Sequence, residues 1–231
     1  MLDSSPNQCL AVSTSPATSQ TFIPDTFVPD TFVPDTFVPM YALPTEITLF
    51  TQYALKSKAY IEFGCGGSTF LLCYLTQAQI FSVESNPAFI NELSQNSLIQ
   101  NALAHNRLRF YPINIGEVQK WGFPKDESQR HSFPLYSQSI FVSLDSTLRS
   151  QIDTIFIDGR FRVACALNAI LYCPQSIIII HDFFNRPHYH ILLDFLECID
   201  SANNLGIFQA KPTPNKQTIY KLLEYYQFDP M

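Results

Sequence analysis

Ala59-Tyr60-Ile61-Glu62-Phe63-Gly64-Cys65-Gly66-Gly67-Ser68-Thr69 runs from five residues of strand character straight into a cluster of glycines. Ala59 to Phe63 is apolar except for Glu62, as suits a short strand buried on both faces. Three of the chain's seven glycines fall in residues 64–67. Glycine permits a turn with positive φ and lets the backbone approach a ligand closely. Thr69 to Leu75 then reads as a helix whose first N–H groups face the turn, with Ser68 or Thr69 as its cap. No Gly-Lys-Ser/Thr follows, so the loop is not a P-loop, and Thr69 stands where a dinucleotide fingerprint has its third glycine. By itself the cluster is equally what a bare structural turn would need.

The flanking sequence repeats the same strand-then-helix alternation. Residues 45–56 read as a helix. Ile80 to Val83 is a second strand that closes on Glu84, placed to accept both hydroxyls of a ribose. Pro87 opens a helix that extends to about Asn101, since proline is tolerated in a first turn. Leu108 to Ile113 is a third strand, followed by Asn114, a small polar side chain suited to an adenine edge. Residues 116–150, rich in Ser, Pro and Phe, read as an irregular insertion that lids an acceptor site. Ile152 to Ile157 is a fourth strand ending at Asp158, and Val163 to Tyr172 a helix. Ser176 to Ile180 is a nearly all-Ile strand that runs into His181-Asp182 and belongs at the sheet centre. His188 to Ile199 reads as a helix, and residues 206–210 and 217–223 as a terminal antiparallel pair. The expected fold is α/β, a doubly wound, mostly parallel seven-stranded sheet over residues 41–231.

Glu62-x-Gly64-x-Gly66-Gly67, Val83-Glu84-Ser85 and Asn114 together resemble the class I S-adenosylmethionine-dependent methyltransferases, a Rossmann-like superfamily. Asn114 stands where many members carry Asp. The runs Ile155-Phe-Ile-Asp158-Gly159-Arg160-Phe161-Arg162-Val163-Ala164-Cys165, Ile180-His181-Asp182-Phe183 and Asn114-Ile-Gly…Trp121-Gly122-Phe-Pro124 are similar to a bacterial methyltransferase-like subgroup of unknown acceptor. The resemblance covers about residues 43–223. It implies a transferase that binds S-adenosylmethionine through Glu62, Gly64, Gly66, Gly67, Ser68, Glu84 and Asn114, and methylates O or N of a small acceptor.

Catalytic candidates come from the next strand ends, where side chains of an open α/β sheet converge. Asp158 and Asp182 end neighbouring strands and, by the same resemblance, would hold Mg²⁺ through oxygen ligands. Alternatively His181 is a general base, or these residues pair and cap structurally. Arg160, with Arg162 and Arg186, forms a local positive cluster that suits an anionic acceptor, or else neutralises the same acids. Trp121 and Phe123 would wall the acceptor, or be core. Two rivals remain: another nucleotide-binding Rossmann enzyme, and an inactive module of the same fold recruited through its N-terminus.

Charge and composition narrow the partners. A net charge of −6 argues against nucleic-acid and anionic-membrane binding. No apolar run is long enough to span a bilayer. The six cysteines form no C-x-x-C pair, and buried thiols in a reducing cytoplasm account for them. The expected location is therefore cytoplasmic, with the oligomeric state left open. Residues 1–40 differ in character. Thr21-Phe-Ile-Pro-Asp25, Thr26-Phe-Val-Pro-Asp30, Thr31-Phe-Val-Pro-Asp35 and Thr36-Phe-Val-Pro-Met40 form a tandem repeat. Proline at every fifth residue blocks helix and sheet alike. The expectation is a disordered arm, either a spacer or a contact for a protein partner through residues 21–40.

Overall fold

The computed structural model describes residues 36–231. The expected disordered arm lies outside the described residues up to residue 35. Its last repeat, residues 36–40, is described, and it packs against the domain.

The chain forms a seven-stranded sheet flanked by helices on both faces. The N-terminal half comprises α1 (Pro44–Ala54), β1 (Ala59–Phe63), α2 (Gly67–Leu75), β2 (Gln79–Glu84), α3 (Pro87–Leu93), α4 (Ser97–Ala104) and β3 (Leu108–Pro112). The C-terminal half comprises α5 (Phe133–Ser143), α6 (Ser146–Gln151), β4 (Thr154–Ile157), α7 (Arg162–Tyr172), β5 (Ile177–Ile180), β6 (Leu196–Ala202), β7 (Leu205–Ala210) and α8 (Lys216–Tyr226). The strand order is β3-β2-β1-β4-β5-β7-β6. The first five strands are parallel, and β7 runs antiparallel between β5 and β6. Chain direction reverses outward from β1 and β4. Their carboxyl ends therefore meet at the switch point, where open α/β sheets bind ligands.

Two apolar layers hold the sheet. One joins α1, α2 and α4 to it through Phe50, Phe70, Leu72, Ile99 and Phe156. The other joins α5, α7 and α8 through Phe63, Phe141, Leu167, Phe183 and Ile219. Every residue of β1 is buried, Glu62 included.

Four local readings change. The helix expected over 87–101 is two helices, because the Asn96 side chain accepts the Leu98 N–H and starts α4 afresh. The helix expected over 188–199 is a 3₁₀ segment, Pro187–Asp194, followed by strand β6. The terminal antiparallel pair is thus β6 and β7. Residues 217–223, expected as a strand, lie within α8, which Asn215 caps by accepting the Thr218 N–H. The insertion at 116–150 is mostly surface, but its helix α5 enters the core and buries Phe133, Tyr136, Ile140 and Phe141. Its first part forms a surface turn, closed by a bond from the Gln119 N–H to the Phe123 carbonyl at 2.8 Å.

Candidate active site

The glycine-rich turn is shaped from below by Glu62. Its carboxylate accepts hydroxyl bonds from Ser68 at 2.9 Å and Ser82 at 2.7 Å, and a short one from Thr69. Thr69 Oγ1 in turn accepts the Gly66 N–H at 2.9 Å, so one buried acid ties β1, β2 and α2 to the turn. Burial pushes the Glu62 carboxyl up to about 7, against the three hydroxyls that lower it. Glu62 and Ser68, both expected at the cofactor, face inward. Their side chains bond to each other and position the turn.

The three glycines divide the work. Gly64 has φ of +93°, and a Cβ there would lie 2.9 Å from the Gly159 backbone, so the turns after β1 and β4 interlock. Gly66, with φ of +155°, is buried, and a Cβ there would make ordinary contact with the Phe89 ring at 3.8 Å. Gly67 is overlaid by the last pentapeptide repeat, since a Cβ there would sit 2.3 Å from Pro39 O and Met40 N. Its lack of a side chain serves the docked arm and not an open site. The arm continues on both sides of this contact. The Asn96 amide donates to the Thr36 carbonyl at 2.8 Å, Phe37 meets Phe70 edge-on, and Tyr41 meets Trp121 edge-on.

Glu84 ends β2 and reaches back to the turn. It accepts the Cys65 N–H at 3.2 Å, and the Ser85 and Asn86 N–H groups at 2.6 and 2.8 Å. The acid and the turn, separate signals in the sequence, are thereby one hydrogen-bonded unit. Asn114 is exposed beyond β3, its oxygen accepting the Gly116 N–H at 2.9 Å.

The ends of β4 and β5 carry a dense ionic cluster. His181 Nδ1 meets Asp158 Oδ1 at 2.9 Å, and its Nε2 lies 3.5 Å from Glu46 on α1. Arg162 bridges Asp158 at 2.9 Å and Asp182 at 3.2 Å, and Arg186 holds Asp182 at 2.8 Å. Arg162 also donates to the carbonyls of Asp158, Gly159 and His181. Burial alone would lower His181, but Asp158 and Glu46 outweigh it and raise the imidazole to about 10. Burial would raise Asp158, yet Arg162 and His181 hold its carboxyl below the usual range. Three acids, Glu46, Asp158 and Asp182, thus face three cations, His181, Arg162 and Arg186.

Asp158, His181 and Asp182 bring ligand-capable atoms within 4.8 Å of one another. The donor set does not suit Mg²⁺. Arg162 and His181 already hold Asp158 Oδ1, and Arg162 and Arg186 hold Asp182 Oδ2, so a cation would face three positive neighbours and one remaining oxygen on each carboxylate. The acid neighbours of His181 favour the protonated ring, which works against it as a general base at neutral pH. Asp158 and Asp182 are the partly exposed acids of the cluster, their side chains 30% and 22% accessible. Phe161 and Asp182, flanking the cluster, hold left-handed φ of 54° and 58°. Strain of this kind on non-glycine residues concentrates at functional sites.

Glu46 was not legible as a site residue. In the sequence it is an ordinary acid in a helix's first turn, and only the packing of α1 beside β5 brings it to His181. Tyr136 is similar. It lies in the supposed insertion, yet its hydroxyl abuts Gly159 and accepts the Arg160 N–H at 3.4 Å.

No protein-family model matches the chain, and no curated protein matches it. Among solved structures it is similar to a methyltransferase-like protein from Silicibacter pomeroyi. The two share 23% identity over 84% of this chain and 98% of that one, with a TM-score of 0.71. An SAH-bound methyltransferase from Podospora anserina aligns at 13% identity over 72% of this chain and 76% of that one, with a TM-score of 0.47. A methyltransferase from Geobacter sulfurreducens gives 11% identity, 75% and 82% coverage, and a TM-score of 0.47. The first likeness shows that the expected fold is the observed one. Among the described residues, no helix is long and apolar enough to cross a membrane.

Proposed function

We propose that this chain is an S-adenosylmethionine-dependent methyltransferase acting on an oxygen or nitrogen of a small acceptor. The observation that carries the reading is the bond from the Cys65 N–H to Glu84. It fuses the glycine turn and the strand-end acid into one receptor at the switch point of the sheet. The fold shared with a methyltransferase-like protein supports it.

The residues fit the cofactor in three places. Glu84 keeps unused acceptor capacity on the oxygen that takes only the Cys65 N–H, enough for a ribose hydroxyl. Gly66, at φ of +155°, gives the turn its shape and puts no side chain between it and Phe89. Asn114 offers its amide hydrogens to an adenine edge. S-adenosylmethionine, once bound, supplies an electrophilic methyl group. What remains for the protein is to align the acceptor and remove one proton. Asp158, at the meeting point of the turns after β1 and β4, is placed to take the acceptor's hydrogen bond and pass that proton on to solvent, its own carboxylate staying ionised. Arg162 and His181 fix its carboxylate, acting as positioning residues.

Isothermal titration of S-adenosylmethionine and S-adenosylhomocysteine into the full chain and into Glu84→Ala tests the reading. Micromolar binding that collapses in the variant is expected. Absence of binding by the unaltered protein would remove the methyltransferase reading and leave the fold as a scaffold for other work.

A further inference from the structure

One buried cation beside the site makes no salt bridge among the described residues. Arg160 follows Gly159 at the end of β4, and its side chain sits in a residue only 4% exposed. Its Nε and Nη1 are sealed from solvent and bond to nothing among the described residues. These two nitrogens belong to the side and end edges of the guanidinium, so both edges of the fork have an unused donor. The Phe123 ring covers the group, its centroid 4.1 Å from Cζ. The arginine's carbon chain runs under Gly122, which also lies against Ser85 just after β2. Arg160 is therefore roofed by a surface turn that itself reaches from the end of β4 to the end of β2, the strand ends at which open α/β sheets bind ligands.

The neighbouring acids are engaged elsewhere. Asp158 is held by Arg162 and His181, and Asp182 by Arg162 and Arg186. That network of three acids and three cations is balanced without Arg160. Burial, and repulsion by Arg162, act against its charge. A buried unpaired cation is costly, and arginine does not relieve the cost by losing its proton. A leucine or methionine would fill the space under Phe123 at no such cost. The charge is retained for something outside the chain.

We propose that Arg160 binds the anionic group, a carboxylate or a phosphate, of the methyl acceptor, with Phe123 closing over the pair. The inference rests on the methyltransferase reading for what is done to that acceptor, but not for the anion site itself. It makes Arg160 the residue that selects the substrate class. A neutral acceptor of the same shape leaves the guanidinium stranded and is rejected.

The test uses the full chain, unaltered and as Arg160→Gln and Arg160→Lys. Inorganic phosphate, acetate, succinate and benzoate are titrated with and without S-adenosylhomocysteine, with benzamide as the neutral counterpart of benzoate. S-adenosylhomocysteine is also titrated alone. At least one anion should bind the unaltered protein, and the Gln variant should lose roughly tenfold or more of that affinity, as a charge-assisted bond predicts. The Lys variant should retain part of it. S-adenosylhomocysteine should bind all three alike. Without ligand, the Gln variant should melt higher by about 2–4 °C, because a stranded charge has been removed. The proposal is overturned if no anion binds the unaltered protein, or if the Gln variant binds it equally. A lower melting point in the Gln variant would make Arg160 a structural strut. A tenfold loss of S-adenosylhomocysteine affinity would assign the arginine to the cofactor's own carboxylate. If the unaltered protein fails to bind S-adenosylhomocysteine, only the methyltransferase reading falls, since titration without it still reports on Arg160.

Discussion

Gly67→Ala separates two roles that lie side by side in the glycine cluster. Gly67 is the first residue of α2, so alanine suits its backbone and would add up to about 1 kcal/mol of helix preference. The obstacle is outside the helix. The new Cβ would lie 2.3 Å from Pro39 O and Met40 N, far inside contact distance, and both are backbone atoms that cannot swing away. The docked repeat must lift. Met40, 8% exposed in its seat, then leaves a gap in the layer formed by Phe70 and Leu72. Emptying a methionine-sized core site costs roughly 2–5 kcal/mol. The net loss in the full chain should be about 1–4 kcal/mol, read by urea or thermal unfolding. In a chain starting at Tyr41 the obstacle is gone, and the same substitution should be neutral or slightly stabilising. Gly66→Ala is the control. Its φ of +155° and ψ of −132° belong to glycine, so it should cost about 1–3 kcal/mol in both backgrounds. Equal destabilisation by Gly67→Ala with and without residues 1–40 would refute the docking argument.

Other outcomes follow from the buried charges. Glu62 has a folded pKa near 7 against an ordinary 4.5. The folded state holds its proton longer than the unfolded one, so the carboxyl subtracts stability as pH rises from about 4.5 to 7. Glu62→Gln should gain on the unaltered protein over that window, by up to about 3 kcal/mol. A pH-independent difference in urea unfolding would contradict the raised pKa. His181 is raised from 6.5 to about 10, so the stability it contributes is complete below pH 6.5 and lost as pH climbs through 10. NMR of its ring nitrogens at pH 8 should show both protonated, and a neutral imidazole there would undo the case against it as a base. Arg162→Gln strands Asp158 and Asp182 in a buried setting and should cost roughly 3–5 kcal/mol in unfolding experiments. A loss under 1 kcal/mol would mean that the network carries no such weight. Millimolar Mg²⁺ should leave the melting temperature unchanged, because the cluster's carboxylates are already matched by cations. A rise on adding Mg²⁺ would restore the metal site.

How much of this could be read along the chain depends on the range of the interaction. The strand, turn and helix over residues 59–75 are written locally, in one apolar run and three glycines. The all-Ile strand announces a central position because only a fully buried strand tolerates such a run. Asp158 and His181 could be paired in advance, since adjacent parallel strands bring their ends together. Local signals failed where two periods competed. Thr218-Ile219-Tyr220 has β character, but Ile219, Leu222, Leu223 and Tyr226 share a helical face that packs against the core, and that face prevails. Residues 196–202 become a strand because β7 offers its edge, a partner that no local window contains.

The sequence by itself determined the five parallel strands, their switch point and the residue types gathered there, because these follow from patterns spanning a few residues. Tertiary structure alone decided what those residues are free to do. It turned Glu62 and Ser68 inward and laid Pro39 and Met40 over Gly67. It brought Glu46 to His181 and left Arg160 without a partner. Charge pairing depends on distances of a few ångströms between side chains far apart along the chain, and packing alone sets those distances.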